Sequence, residues 1–455
     1  MTQQNTVPRL FGTNGVRGVV NTEEMDCEFA MRLGMAIGTF MKGSVLVGTD
    51  ARTSNEMLKS ACMAGIMATG CDILDCGVVP TPTIQFAVKS NDMAGGVMIT
   101  ASHNPPEFNG VKCVDPDGTE MSRENEERIE GIFHTKRFSR ADWRGIGRRD
   151  NFDRAVPDYI DGIVARTDVE GIRKADLRVA LDCGNGAGGN VSPKLLERLG
   201  VRYVTLNADP NGAFPGHNSE PTPENAKDLV EFVRAGDFDI GILHDGDADR
   251  TIFVDENGSY MYGDRSLAIA AQYACTSRNG GLVVTTVGSS KCVEDAVKMA
   301  GGEIMYTKVG SPVVARAMMA HSAIFGGEEN GGLIFPEFQY CRDGAMAAAK
   351  MIEIIAMNGT LSEINAVIPA YSQYKTKTPC PNMMKDSVLA KLLEDAGTDN
   401  VDTTDGLKIF LDDGWVLVRP SGTEPIFRIF SEAKTPDRAR DIAESYKKRV
   451  AEAVT

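Results

Sequence analysis

The chain has 455 residues, 42% hydrophobic and 24% charged, a globular composition in a chain too long for one core. We therefore expect three or four domains. The formal net charge of −15 argues against nucleic acid or an anionic membrane as a partner. Ten scattered cysteines, without zinc-ligand spacing, fit a reducing compartment. With neither a signal-peptide core nor a membrane-length apolar run, the sequence predicts a cytoplasmic protein.

The first 154 residues alternate between predicted strands and helices, as in an α/β domain. A glycine-rich loop holds Arg17, where backbone N–H groups and a guanidinium could approach a ligand, although an ordinary Asn-Gly turn explains the pattern as well. The elements that follow are a helix at 28–41, a strand at 45–47, a helix opened by a Thr53–Glu56 capping box, and strands at 71–76 and 97–99. The polar stretch 115–154 reads as the end of this domain.

The loop after the third of these strands reads Thr-Ala-Ser-His-Asn-Pro-Pro and closes at Lys112. Ser102 stands beside His103, and the Pro-Pro pair restricts the backbone after them. A serine held at a strand end in this way is a candidate nucleophile or phosphate carrier. A surface loop capped by serine and asparagine is the alternative.

A second α/β unit, residues 155–256, contains predicted strands at 177–182 and 238–243. The first ends in a glycine-rich turn at 183–190, which resembles a phosphate loop but lacks the usual spacing, so a tight strand-to-helix turn is preferred. The second ends in Asp245, Asp247 and Asp249, followed by Arg250. Alternating carboxylates after a buried strand suit a hard cation such as Mg²⁺ and would repel one another without it. A solvated acidic turn is the alternative.

Residues 257–368 and 369–455 form the predicted third and fourth units. The third has a strand at 282–286, Lys308, and a Gly-Gly-Glu-Glu-Asn-Gly-Gly loop whose Glu328 and Asn330 could bind sugar hydroxyls. The fourth has a strand at 413–418, then two arginines, two hydroxyls and a glycine in ten residues, which favours an anion site over a plain hairpin. These anion-site residues are Arg419, Ser421, Gly422, Thr423 and Arg428.

These motifs, in this order, resemble the α-D-phosphohexomutase family, and the opening Phe-Gly-Thr-Asn-Gly-Val-Arg-Gly is most similar to its phosphoglucosamine mutase branch. The resemblance covers essentially the whole chain. It implies four domains around a central cleft: three related α/β domains and a smaller C-terminal α+β domain related to the TATA-binding-protein fold.

The resemblance also implies roles for the motif residues. Ser102 would be a phosphoserine, and its phosphate would join the three aspartates as ligands of Mg²⁺. Arg17, Lys112, His103 and Arg250 would surround the reacting phosphate, with Lys112 or His103 as proton carrier. Glu328 and Asn330 would hold sugar hydroxyls, and the anion site would clamp the non-reacting phosphate. Gly332 departs from the family pattern, which has a histidine there, so the preferred sugar stays open.

The implied reaction moves phosphate between C6 and C1 of a hexose or hexosamine phosphate through Ser102 and a sugar 1,6-bisphosphate. Glucosamine 6-phosphate is the expected substrate; mannose, glucose or pentose phosphates are alternatives. Two other classes stay open: a phosphatase with Asp245 as nucleophile, and a sensor of sugar phosphates without activity. The oligomeric state is left open, with a dimer as one option.

Overall fold

The structure is a computed structural model that describes residues 9–12, 14–397, 400–422 and 424–454. It divides into two compact units, one of Met1–Ser266 with Asn330–Ile364, the other of Leu267–Glu329 with Asn365–Thr455. Two helices, Gly263–Arg278 and Leu361–Val367, contain chain junctions between these units. Within the described ranges, no helix is both long and apolar enough to cross a membrane.

The first unit contains a six-stranded mixed sheet. Its central strands, Gly95–Ile99, Val45–Thr49 and Ile73–Val78, run parallel, and they are apolar because helices cover both faces. The full order across the sheet is Val16–Val19, Phe108–Val114, Gly95–Ile99, Val45–Thr49, Ile73–Val78 and Arg149–Asn151. The helices that accompany it are Cys27–Met41, Asn55–Met67, Thr81–Ser90 and Arg123–Thr135.

A second sheet in this unit has five strands. The order is Tyr260–Met261, Thr251–Asp255, Ile240–His244, Arg178–Asp182 and Arg202–Leu206, with the last three strands parallel. The remaining helices are Ala155–Val164, Val169–Ala175, Ser192–Leu199, Lys227–Ala235 and Gly344–Asn358, and a short strand covers Gly332–Ile334.

The second unit contains a parallel set of strands and an antiparallel sheet. Strands Glu303–Thr307, Leu282–Thr286 and Phe325–Glu328 are parallel, with helices Lys291–Met299 and Ser311–His321. The antiparallel sheet has the order Ser372–Pro379, Ile426–Ala433, Gly414–Pro420, Leu407–Leu411 and Val401–Asp402. Helices Lys385–Ala396 and Pro436–Val454 pack on it around an apolar core, which makes this part α+β.

Most predicted elements are confirmed, including the strands at 45–47 and 282–286 and the helix at 28–41. The Thr53–Glu56 capping box is wrong. The helix begins at Asn55, and Ser54 at its N-cap makes no side-chain capping bond. The side-chain amide of Asn55 donates from Nδ2 to the Asp50 backbone carbonyl at 2.8 Å. The polar stretch 115–154, for which no elements were predicted, contains a helix and an edge strand of the first sheet.

Candidate active site

Ser102 lies just beyond the Gly95–Ile99 strand with its backbone in the left-handed region, at φ 52°. A serine rarely adopts this conformation, so the surrounding contacts must hold it there. Its N–H donates to Thr100 Oγ1 at 2.8 Å, and its buried hydroxyl donates to Asp245 Oδ2 at 3.0 Å. The strained turn therefore directs the hydroxyl at the aspartate triplet.

Arg52, to which the sequence assigned no role, holds the Ser102 loop from within. The guanidinium is buried and ion-paired to Asp50, with 3.1 Å between Nε and Oδ2. Its two terminal nitrogens donate to four loop carbonyls at 2.5–2.9 Å, those of Ser102, Asn104, Pro105 and Phe108. A single side chain thus provides hydrogen-bond donors to four backbone carbonyls between Ser102 and Phe108.

The three aspartates follow the Ile240–His244 strand and are fully buried. One oxygen from each lies within 4.8 Å of the others, which is close enough to share a cation. Asp247 Oδ1 and Asp249 Oδ1 are buried and have no hydrogen-bond partner among the described residues. Because a bare buried carboxylate oxygen is costly, these atoms fit the oxygen ligands that Mg²⁺ prefers.

Lys112 lies on the Phe108–Val114 strand, which follows the Ser102 loop, and its side chain reaches the aspartate triplet. Its ammonium donates to Asp247 Oδ2 at 2.6 Å and to Asp249 Oδ2 at 3.1 Å. Burial alone would lower the pKa of Lys112, but the two aspartates outweigh it and raise that pKa. Burial and the two neighbouring carboxylates raise the pKa of Asp245 well above its usual range. Burial opposes ionisation of Asp247, yet Lys112 holds the pKa of that carboxyl low.

Arg17, His103 and Arg250 lie in the same cluster. Arg17 Nη1 donates to Asn104 Oδ1 at 2.7 Å, and His103 Nδ1 is 3.3 Å from Ser102 Oγ. Arg250 Nε lies 3.8 Å from Asp249 Oδ1. Burial, followed by the Arg250 and Arg17 charges, lowers the pKa of His103. The structure therefore brings together the Ser102 loop, Lys112, the triplet and three further predicted side chains.

Two contacts to the triplet come from residues outside the predicted motifs. Thr81 Oγ1 donates to Asp247 Oδ2 at 2.5 Å. Arg342 Nη2 donates to Asp249 Oδ2 at 2.7 Å. A Thr-Pro pair at a helix start and a lone arginine in a polar stretch gave no sequence signal. The sugar-loop residue Asn330 lies in the same unit, where its Oδ1 accepts the Gly332 N–H at 3.1 Å.

Glu328 and Lys308 lie in the second unit. Glu328 ends a strand and is buried, and its Oε1 accepts the Gly310 N–H at 3.0 Å. Lys308 is exposed in the loop that leads to Gly310. Through this hydrogen bond, Glu328 contacts the loop that also contains Lys308.

The predicted anion site is a hairpin in the second unit. Arg419 and Arg428 are directly opposed on adjacent antiparallel strands, an unfavourable pairing of like charges without nearby anions. Arg419 Nε pairs with Asp405 Oδ2 at 2.5 Å, and Arg428 Nη2 with Glu424 Oε2 at 3.1 Å. Ser421 Oγ accepts the Glu424 N–H at 3.1 Å, and a Cβ at Gly422 would meet open space. Thr423 lies outside the described residues.

Comparison with known proteins identifies the four parts of the chain. Models of phosphoglucomutase/phosphomannomutase α/β/α domains I, II and III match residues 8–140, 157–258 and 262–371. The model of the C-terminal domain of the same family matches residues 376–448. The matches follow chain order and leave only short gaps.

Relatives and a solved structure agree with this assignment. A phosphoglucomutase/phosphomannomutase from Thermococcus kodakarensis is 47% identical and covers 96% of this chain and 97% of its own. A phosphoglucosamine/phosphogalactosamine mutase from Sulfurisphaera tokodaii is 40% identical, and the match covers 97% of this chain and 99% of the relative. A crystal structure of a family protein from Burkholderia thailandensis superposes with a TM-score of 0.87 at 29% identity. The match covers 98% of this chain and 97% of that structure. The chain therefore belongs to the phosphoglucomutase/phosphomannomutase family and is a phosphohexomutase, an isomerase.

Proposed function

We propose that this phosphohexomutase interconverts glucosamine 6-phosphate and glucosamine 1-phosphate through a phosphoserine at Ser102 and a sugar 1,6-bisphosphate. The observation that carries the proposal is the placement of the Ser102 hydroxyl, buried and 3.0 Å from the first aspartate of the triplet. Carboxylates alone would repel a phosphate, so this arrangement makes sense when cations complete the site.

Ser102 carries the phosphoryl group, and Asp245, Asp247 and Asp249 are the residues that would hold Mg²⁺ beside it. The two bare oxygens of the triplet support this assignment. When bound, Mg²⁺ supplies positive charge to the transferring oxygens. Arg17, Lys112 and Arg250 surround the same phosphate with fixed charge.

In the first half-reaction the Ser102 Oγ–P bond breaks and a bond forms between phosphorus and the free sugar hydroxyl. The hydroxyl proton leaves to a base. In the second half-reaction the bond between the other phosphorus and its sugar oxygen breaks, this phosphate passes to Ser102 Oγ, and the sugar oxygen that it leaves takes up a proton. Lys112 holds its ammonium in two ion pairs, whereas His103 Nδ1 lies 3.3 Å from Ser102 Oγ. We therefore assign charge stabilisation to Lys112. His103, whose lowered pKa keeps the imidazole neutral and able to accept a proton, is assigned the proton exchange.

The family roles extend to the other motifs. Glu328 and Asn330 bind sugar hydroxyls and Lys308 assists them. The clamp for the non-reacting phosphate consists of Arg419, Ser421, Gly422, Thr423 and Arg428. The opposed arginine pair of the hairpin supports an anion at this place. The domains on which these motifs lie are residues 1–154, 155–256, 257–368 and 369–455. The ten scattered cysteines support a reducing, cytoplasmic location.

A second candidate substrate is a hexose without the amino group. The relative at 47% identity carries the name phosphoglucomutase/phosphomannomutase, whereas the relative at 40% is named for amino sugars. Glucose and mannose phosphates therefore stand as the alternative pair.

A substrate panel tests the proposal. The purified chain is assayed with Mg²⁺ and a bisphosphate primer on glucosamine 6-phosphate, mannose 1-phosphate, glucose 1-phosphate and ribose 1-phosphate. We expect the highest kcat/KM for the amino sugar. A higher value for glucose or mannose phosphate would move the assignment to the second candidate, and no turnover on any sugar phosphate would contradict the proposed reaction.

A further inference from the structure

Gly332 and Arg342 form a steric pair beside the triplet. A Cβ built on Gly332 would lie 2.2 Å from Arg342 Cδ and 2.9 Å from its Cγ. The aliphatic stem of Arg342 therefore runs directly over the backbone of residue 332. No other amino acid at this position could leave that stem where it is.

The backbone around this pair is fixed to the ends of the aspartate loop. The Thr251 N–H donates to the Gly331 carbonyl at 3.0 Å, and the Gly344 N–H donates to the Ala248 carbonyl at 3.2 Å. The Asp343 N–H donates to the Leu333 carbonyl at 3.0 Å, which closes the segment on itself. These bonds fix the backbone at both residues, and the Arg342 stem is held at its far end by the contact of Nη2 with Asp249 Oδ2 at 2.7 Å, so moving the stem away from Gly332 would disturb that contact.

The guanidinium of Arg342 is 5% exposed and acts on one particular oxygen. Its Nη2 lies 2.7 Å from Asp249 Oδ2, the same atom that Lys112 Nζ approaches to 3.1 Å. Glu120 Oε1 lies 3.7 Å from the same Nη2. Two cations thus hold Oδ2 of Asp249, whereas Oδ1 has no hydrogen-bond partner among the described residues and only the more distant Arg250 Nε, at 3.8 Å, beside it.

We infer that Arg342 is a positioning residue for the metal site: it orients Asp249 so that Oδ1 faces the cation, and Gly332 is glycine because Arg342 must pass over it. The inference rests on the proposed Mg²⁺ site. It explains the position at which the chain departs from the family's sugar loop. A guanidinium is always protonated, so Arg342 contributes geometry and charge but exchanges no proton.

Mg²⁺ affinity separates positioning from simple charge compensation. If Arg342 only neutralised the triplet, its removal would leave the site more negative and Mg²⁺ would bind more tightly. If Arg342 orients Asp249, its removal weakens Mg²⁺ binding, by about tenfold for a residue that supports a metal ligand. The direction of the change therefore decides between the two roles.

The experiment is calorimetric titration of the full-length chain with Mg²⁺, for wild type, Arg342→Lys, Arg342→Ala, Gly332→Ala and the double variant. Arg342→Lys keeps the charge and loses the planar fork. We expect about tenfold weaker Mg²⁺ binding in Arg342→Ala, a smaller loss in Arg342→Lys, and a loss similar to that of Arg342→Ala in Gly332→Ala. Gly131→Ala is the matched control, because a Cβ there meets no atom within 4 Å.

The double variant tests the steric link. Arg342→Ala removes the two atoms that a Cβ at residue 332 would strike, at 2.2 and 2.9 Å, and leaves only Asn330 Oδ1 at 3.1 Å, so Gly332→Ala should cause little further loss in that background. Additive losses, or tighter Mg²⁺ binding in Arg342→Ala, would overturn the inference while leaving the proposed function intact. Failure of the wild-type chain to bind Mg²⁺ would overturn both. Gly332→Ala keeps every charge, so the inference stays testable if Arg342→Ala does not fold.

Discussion

Arg52 has the clearest individual role outside the predicted motifs. One buried guanidinium reaches four carbonyls of the loop that carries Ser102 and pairs with Asp50. Because Ser102 is held in a left-handed conformation, its direction depends on this support. The loop thus has a fixed shape before substrate binds, as phosphoryl transfer requires.

Arg52→Lys should therefore impair turnover more than binding. An ammonium keeps the charge beside Asp50 but cannot reach four carbonyls from one point. We expect kcat to fall by about a hundredfold, the effect of displacing a reacting group by about 1 Å, with a smaller change in KM. Steady-state kinetics and hydrogen exchange over residues 102–108 measure this. Arg154→Lys, at an exposed arginine, is the control; unchanged kcat and exchange in Arg52→Lys would contradict the assigned role.

The glycine-rich turn at 183–190 packs against the aspartate loop. Its Ala187 N–H donates to the Gly246 carbonyl at 3.0 Å, and its Asn185 N–H donates to the Asn207 carbonyl at 2.8 Å. A Cβ on Gly186 would lie 2.6 Å from the Gly246 oxygen, and a Cβ on Gly246 would lie 2.6 Å from the Ser102 oxygen. The backbones of the glycine-rich turn, the aspartate loop and the Ser102 loop therefore pack directly against one another at Gly186 and Gly246.

Gly186→Ala is a clean steric test of this stack. Residue 186 has φ −91°, which alanine adopts without strain. The new methyl group would press on backbone, which cannot rotate away, so the aspartate loop must shift. We expect about tenfold weaker Mg²⁺ binding and a lower thermal midpoint of unfolding than in the Gly131→Ala control. Wild-type Mg²⁺ affinity in Gly186→Ala would show that the turn does not position the aspartates.

The Arg123–Thr135 helix contains Glu126, a carboxyl group whose pKa is changed by folding. Burial raises the pKa of Glu126 from about 4.5 to about 7, although the Arg123 guanidinium lies 3.3 Å away and opposes the shift. The folded state therefore binds a proton more tightly than the unfolded state. Protonation of Glu126 therefore adds to the free energy of unfolding. This contribution is fully present below about pH 4.5 and is lost as the pH rises through about 7.

Glu126→Gln should stabilise the chain at high pH only. The amide stays neutral, so it avoids the cost of a buried carboxylate, which at pH 8 is about 3 kcal/mol for a pKa raised from 4.5 to about 7. We expect a higher thermal midpoint than wild type at pH 8 and an unchanged one at pH 4. An equal shift at both values would mean that the pKa of Glu126 is not raised by folding.

At the scale of the whole molecule, the sequence predicted what lies in contiguous motifs. The Ser102 loop and the aspartate triplet were identified because each places its chemistry within a few residues after an apolar strand. Family resemblance then supplied the four-part architecture that the domain matches bear out.

What could not be predicted are contacts between distant parts of the chain. Arg342 reaches Asp249 across 93 positions, and Thr81 reaches Asp247 across 166. A single arginine or threonine in a polar stretch has many possible partners, and only the fold selects one. The capping box failed for a related reason, because the Asn55 side chain is drawn back to the Asp50 carbonyl.

The central claim is that Ser102 carries the phosphoryl group. The most direct measurement is intact-protein mass spectrometry with peptide mapping, after incubation with Mg²⁺ and a sugar 1,6-bisphosphate. We predict a single phosphoryl group on Ser102, and neither phosphorylation nor mutase turnover in Ser102→Ala. An acyl phosphate on Asp245, or wild-type turnover in Ser102→Ala, would contradict the account.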